Sequence, residues 1–128
     1  MTSQKAGGIR TYRDLVLWQV AMDLAEQVYR ITESFPATEK FGLTSQIRRS
    51  SVSVPSNVAE GFGRGRRLEF RRYLDMAKGS LFELQTQAEL ARRLGWLKRD
   101  ALSTLRDLAS RADALLAGLL RSTGVARQ

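Results

Sequence analysis

Residues 67–95 read RLEFRRYLDMAKGSLFELQTQAELARRLG, and in them Phe70, Leu74, Ala77, Leu81, Leu84, Ala88 and Ala91 recur in alternating steps of four and three. That spacing lays one apolar stripe along one side of an α-helix, whereas a strand would need alternation by two. Gly95 supplies the stop. At ~1.5 Å per residue, a helix from Arg67 to Leu94 spans roughly 40 Å.

Working towards the N-terminus, the segment Gly61-Phe62-Gly63-Arg64-Gly65-Arg66-Arg67 reads as the clearest loop, because three alternating glycines cannot sustain a helix. Before it, a second helix starts near Thr44 and turns Ile47, Ser51, Val54 and Val58 inward. Its inner face is small, with serines at 50, 51 and 53 that allow a neighbouring helix to come close while lowering helix propensity, so tertiary packing must hold it. Pro55 lies inside this segment and frees the carbonyl of Ser51 at a cost of about 3 kcal/mol. The expectation is a kink, with serine hydroxyls taking up the freed acceptor. Further upstream, Leu17, Ala21, Leu24, Val28 and Ile31 form a first helical stripe, widened by Trp18, Ala25 and Tyr29. Thr11 and Asp14 give a capping-box start, and Phe35-Pro36 gives the end.

Towards the C-terminus, Trp96 and Leu97 fill a corner. A last helix from about Lys98 to Arg121 then turns Ala101, Leu105, Leu108, Ala112, Leu115 and Leu119 inward, with Leu102, Ala109 and Leu116 as a second row and Gly124 as the terminator. Four helices with a near-3.5 repeat and short links predict an all-α fold, an antiparallel up-down-up-down four-helix bundle with left-handed packing. A repeat array of the tetratricopeptide kind is the alternative, but the helices differ in length and no motif recurs at a fixed period. The domain is expected over residues 11–122, flanked by flexible ends at 1–10 and 123–128.

The 128 residues suit a single domain, and 43% hydrophobic content suits a packed core. The chain has no cysteine and no histidine, which removes thiolate and imidazole chemistry and nearly every zinc, haem and iron–sulfur site; no cofactor or metal is expected. No apolar run approaches the roughly 18 residues of a membrane span, so a cytoplasmic protein with no membrane partner is expected.

The net charge is +8, and it is unevenly placed. Residues 40–72 carry Lys40, Arg48, Arg49, Arg64, Arg66, Arg67, Arg71 and Arg72 against only Glu60 and Glu69. The preference for arginine matters, since a planar guanidinium fork matches phosphate oxygens and stacks on bases. These seven arginines are the candidate nucleic-acid-binding residues, contacting the RNA or DNA backbone in the absence of a recognisable base-reading motif. The competing explanation is a solvated face that keeps the protein in solution. Gly61, Gly63 and Arg66 do not make a dinucleotide fingerprint, because the third glycine and a preceding strand are missing. An enzyme is not expected: Ser56, Asn57 and Glu60 can ring one polar spot, but Glu60 among arginines reads better as a structural ion pair than as a general base.

Several motifs occur in order: Leu17-Trp18-Gln19-Val20-Ala21, Phe35-Pro36, Phe41-Gly42-Leu43, Gln46-Ile47-Arg48-Arg49-Ser50, Val54-Pro55-Ser56-Asn57-Val58-Ala59-Glu60-Gly61 and Ala77-Lys78-Gly79-Ser80-Leu81-Phe82-Glu83-Leu84. Over about residues 11–122 this resembles the bacterial four-helix-bundle family named after proteins encoded in intervening sequences of large-subunit ribosomal RNA genes, to which the accessory variability protein of diversity-generating retroelements also belongs. The resemblance implies an antiparallel bundle, a ring-shaped homopentamer with a basic surface and, for the accessory type, binding to a reverse transcriptase and nucleic acid. It places Gln46, Arg48, Arg49, Pro55, Ser56, Asn57, Ala59, Glu60 and Gly61 in the shared signature without giving them roles. The alternative to direct nucleic-acid binding is therefore an adaptor that docks a reverse transcriptase. Aromatic residues at 18, 29, 62, 73, 82 and 96 exceed what a leucine- and alanine-lined core requires, and Phe82, next to the inward Leu81, is the expected interface residue of the oligomer.

Overall fold

The structure of the protein, a computed structural model, describes residues 8–123. It has four long helices: α1 (Val16–Thr32), α2 (Leu43–Gly63), α3 (Arg67–Arg93) and α4 (Arg99–Ser122). Each packs on the next in the chain, α4 closes back on α1, and the diagonal pairs stay apart. With links this short, the ring of contacts is an antiparallel four-helix bundle. Its core is the stripe read from sequence: Leu17, Leu24 and Val28, Ile47 and Val54, Leu74, Leu81 and Leu84, and Leu105 and Leu116 are all buried.

Several boundaries differ from expectation for identifiable reasons. The Thr11–Asp14 capping box is present, but it caps a 3₁₀ turn at Tyr12–Asp14, and α1 begins only after Leu15. Arg13 reaches the rings of Tyr12 and Trp18, which meet edge to face with centroids 5.1 Å apart, and this folds the turn onto the helix. Glu39 Oε1 accepts the Leu43 N–H at 2.8 Å and caps α2, whose own N-cap residue Gly42 has no side chain to offer.

The expected loop at 61–67 shrinks to residues 64–66, because α2 continues through Gly61 and Gly63. Gly61 is a packing glycine: a Cβ there would sit 2.5 Å from Tyr73 Cβ on α3. The turn itself is made by Gly65, at φ 76°. Pro55 is buried within α2, which runs on across it. The neighbouring polar groups bond other carbonyls than that of Ser51, with Ser50 Oγ donating to Ile47, Ser51 Oγ to Arg48 and Asn57 Nδ2 to Ser53. On α4 the core takes the whole second row and only part of the first. Leu102, Ala109 and Leu116 join Leu105 and Ala112 at the centre, while Ala101, Leu108, Leu115 and Leu119 are only partly buried.

Gly95 ends α3 as expected, at φ 82° in a Schellman arrangement with Trp96 N–H bonded to Ala91 and Gly95 N–H to Arg92. Gly124, the expected terminator of α4, lies outside the described residues, as do most of the two expected flexible ends. Among the described residues no helix is long and apolar enough to cross a membrane.

One surface clasp ties α3 to α4. Glu89 accepts from Arg92 (2.7 Å) and Arg93 (3.1 Å) on its own helix and from Arg106 (2.8 Å) across the gap. Hydrogen bonds from Arg92 and Arg93 lower the Glu89 pKa from its ordinary value of 4.5 to about 2. A carboxylate depressed in the folded state contributes stability that is complete above its unfolded pKa and is lost as pH falls through the folded one. Glu89→Gln should therefore lower the thermal midpoint at pH 6, with the gap from wild type closing as pH drops from about 5 to 2.

The glycines give a second check. Gly79→Ala, in open space on α3, should stabilise the fold by about 0.5–1 kcal/mol through helix propensity. Gly61→Ala gains the same propensity but must force α2 from α3, and should destabilise by about 1–3 kcal/mol in a denaturant titration.

Candidate nucleic-acid interface

The seven candidate arginines do not form one patch. Arg48 and Arg49 lie near the start of α2, roughly 24 Å along the helix from Arg64 at its end. Two of the seven are built into the fold. Arg48, half-buried, donates from Nε to Thr32 Oγ1 at 2.8 Å and lies over the Tyr29 ring at 4.5 Å, tying α2 to α1. Arg71 donates from Nη1 to the Leu120 carbonyl at 3.1 Å, in the last turn of α4, where the unsatisfied acceptors and the negative end of the helix dipole favour a cation.

Two more are occupied at the surface. Arg64 Nη2 pairs with Glu60 at 2.9 Å and donates to the Tyr73 hydroxyl at 2.8 Å, and that hydroxyl donates to Glu60 at 3.2 Å. Arg72 stands 3.6 Å from Glu69 and above the Tyr73 ring. Arg49 is exposed, with one long 3.5 Å approach to Ser45.

Arg66 and Arg67 are different. Both are exposed, and among the described residues neither side chain has an ion pair or hydrogen bond. The nearest acidic residues in sequence, Glu60 and Glu69, are already taken by Arg64 and Arg72. They flank the start of α3, and no side chain caps that helix. Together with Phe62, Gly65, Phe70 and Thr123 they line an open cleft of about 400 Å³. Phe62 and Phe70 meet edge to face there, centroids 5.8 Å apart.

The signature residues have largely structural surroundings. Pro55 and Gly61 are buried, Ala59 is half-buried, Asn57 bonds back to Ser53, and Glu60 serves Arg64 and Tyr73, while Gln46 and Ser56 are exposed. The polar spot expected from Ser56, Asn57 and Glu60 does not form: no hydrogen bond joins the three, and each of the two that is bonded turns to a different partner. Phe82 is about half exposed on α3, with Lys78 beside its ring. Sequence reasoning passed over a second basic cleft at the α3–α4 turn, lined by Arg92, Arg99, Arg106 and Asp107. The run Arg92-Arg93 before Gly95 and Lys98-Arg99 after it was its signal. Glu89 pairs with Arg92 and Arg106 of that cluster, whereas Arg66 and Arg67 have no acidic partner among the described residues.

Residues 13–118 match the family described as 23S rRNA-intervening sequence protein. The chain belongs to that family. A crystal structure of a protein of unknown function from the S23 ribosomal protein family of Bacteroides thetaiotaomicron is similar in fold, with a TM-score of 0.76 at 19% identity over 82% of this chain and 98% of that one. No curated protein matches the sequence. The family resemblance read from the ordered motifs is thus correct.

The division between built-in and available arginines is testable. Arg48→Ala should cost about 1–3 kcal/mol of stability by removing the hydrogen bond to Thr32 and the stacking on Tyr29 that join α2 to α1, whereas Arg66→Ala and Arg67→Ala should each stay within about 0.5 kcal/mol of wild type in chemical denaturation.

Proposed function

We propose that this protein is a non-enzymatic nucleic-acid-binding bundle that works as a homopentamer, each copy presenting the α2–α3 turn to the phosphate backbone of RNA or DNA. The observation that carries the reading is the pair of unpartnered, exposed arginines, Arg66 and Arg67, on a +6 stretch whose two acids are already committed. Unpaired guanidinium groups next to the N-terminus of α3 suit phosphate oxygens. Self-association is supported by Met76, Phe82, Leu90 and Leu94, which leave large apolar groups about half exposed on α3 away from its core stripe. A closed ring covers such a face without open-ended growth, and it multiplies several weak basic sites on one nucleic acid. The cytoplasm is the compartment this reading requires. An adaptor role, docking a reverse transcriptase, would use the same basic end but would not need the isolated protein to bind nucleic acid.

Counterion release sets the test. In an anisotropy titration the log of the binding constant should fall linearly with the log of salt, with a slope of about −0.7 to −0.9 per phosphate neutralised. Changing both Arg66 and Arg67 to glutamate should weaken binding at least about tenfold at low salt and flatten that slope by about 1.5, with helical circular dichroism unchanged. Absence of binding at low salt overturns the proposal. In light scattering, wild type should have a pentamer's mass and Phe82→Asp a smaller one.

A further inference from the structure

Nothing in backbone binding requires aromatic rings, yet the two unpartnered arginines line a cleft with two of them, Phe62 and Phe70, each half-buried against the edge of the core. The cleft at the α2–α3 turn sets the Phe62 and Phe70 rings beside Arg66 and Arg67. Its volume of about 400 Å³ falls in the range of small-ligand sites, roughly 300–1,000 Å³. Its lining carries no acidic side chain, and the two acids nearest in sequence are held by Arg64 and Arg72, so the cleft combines a cationic and an apolar part. The ligand that complements both parts is a flat aromatic ring joined to an anion.

We infer that this cleft is a single-nucleotide subsite: an unstacked base lies against Phe62 and Phe70 while its phosphate meets Arg66 and Arg67. The inference rests on the nucleic-acid reading above and narrows it, because a base inside a duplex reaches the rings only after unpairing and unstacking, at a cost of a few kcal/mol. Single strands offer the base at little cost, and stacking on an aromatic side chain is indifferent to which base arrives. The subsite therefore gives the protein a preference for single-stranded segments, loops and ends.

The test uses the full chain with single-stranded RNA and DNA oligonucleotides carrying one 2-aminopurine, and with duplexes of the same length at equal salt. The expected result is tighter binding of single strands by about tenfold or more, with the 2-aminopurine emission changed on binding. Phe62→Leu keeps most of the apolar packing but removes the stacking face. It should weaken single-strand binding roughly 5- to 100-fold and abolish the emission change, while leaving duplex affinity and the salt slope as in wild type. Phe70→Leu serves as the second variant, and circular dichroism identifies any variant that does not fold. Equal affinity for single strands and duplexes, or single-strand affinity and emission untouched in both folded variants, overturns the subsite but leaves backbone binding standing. No binding of any oligonucleotide overturns the functional reading itself. A change in particle mass without a change in nucleic-acid affinity would assign the cleft to a second copy of the chain, and that too overturns the subsite.

Discussion

Everything else in the molecule depends on how closely α2 approaches α3. Gly61 lies so near Tyr73 that it has no room for a methyl group, Ser53 and Ser80 share a hydrogen bond at 2.7 Å, and Ser50 donates to the buried Gln87 at 2.7 Å. These pairs run in opposite directions along the two helices and define an antiparallel seam in which small residues of α2 meet α3. Close approach brings polar groups into the interior, where an unpaired one costs about 1–3 kcal/mol. Here none is left unpaired among the described residues. The seam also explains how a segment rich in serine, glycine and β-branched valine, with a proline inside it, remains a helix over 21 residues. Its intrinsic propensity is poor, and the neighbouring helix compensates.

The seam also determines the chemistry at its end. Because α2 stays on α3 through Gly61 and Gly63, the reversal is compressed into residues 64–66, and five arginines between 64 and 72 are brought to one end of the bundle. Some of that repulsion is relieved internally. Arg64 and Arg72 take Glu60 and Glu69, both lie over Tyr73, and Arg71 turns to the end of α4. Arg66 and Arg67 are left over, next to a short Gly65 turn and an uncapped helix start. Exposed ion pairs of this kind add little stability. Their larger effect is to fix which arginines face solvent alone.

The helical stripes were legible because period is a local property: Leu17 to Ile31 and Phe70 to Ala91 show it without any knowledge of partners. The end of α2 was not legible. Gly61, Gly63 and Gly65 look equivalent in the sequence, yet Gly61 is needed for close packing, Gly65 for a positive φ, and only the position of Tyr73 separates them. The arginines present the same difficulty. Arg48 and Arg49 are adjacent, and whether each is structural or available depends on Thr32 and Tyr29, which lie on another helix. Phe41, 88% exposed, is not legible as a surface residue because it sits in a link where no periodicity marks a face. On α4, leucine and alanine are so abundant that two stripes fit the pattern equally, and contacts with α1 and α3 choose between them.

This division has a consequence for what family membership means here. Of the residues that carry the resemblance through α2, Pro55, Asn57, Ala59, Glu60 and Gly61 are buried, half-buried or bonded within their own neighbourhood, whereas Gln46, Arg49 and Ser56 are exposed. Residues placed in this way govern how two helices meet. Arg66 and Arg67 lie just beyond that motif, in a turn where substitutions leave the seam untouched and change only charge and reach. The two regions are therefore under separate physical constraints: close packing restricts the signature to a few residue types, whereas the turn tolerates any residue that its glycine can follow. The scaffold and the charge at its end are thus set by different residues of this chain.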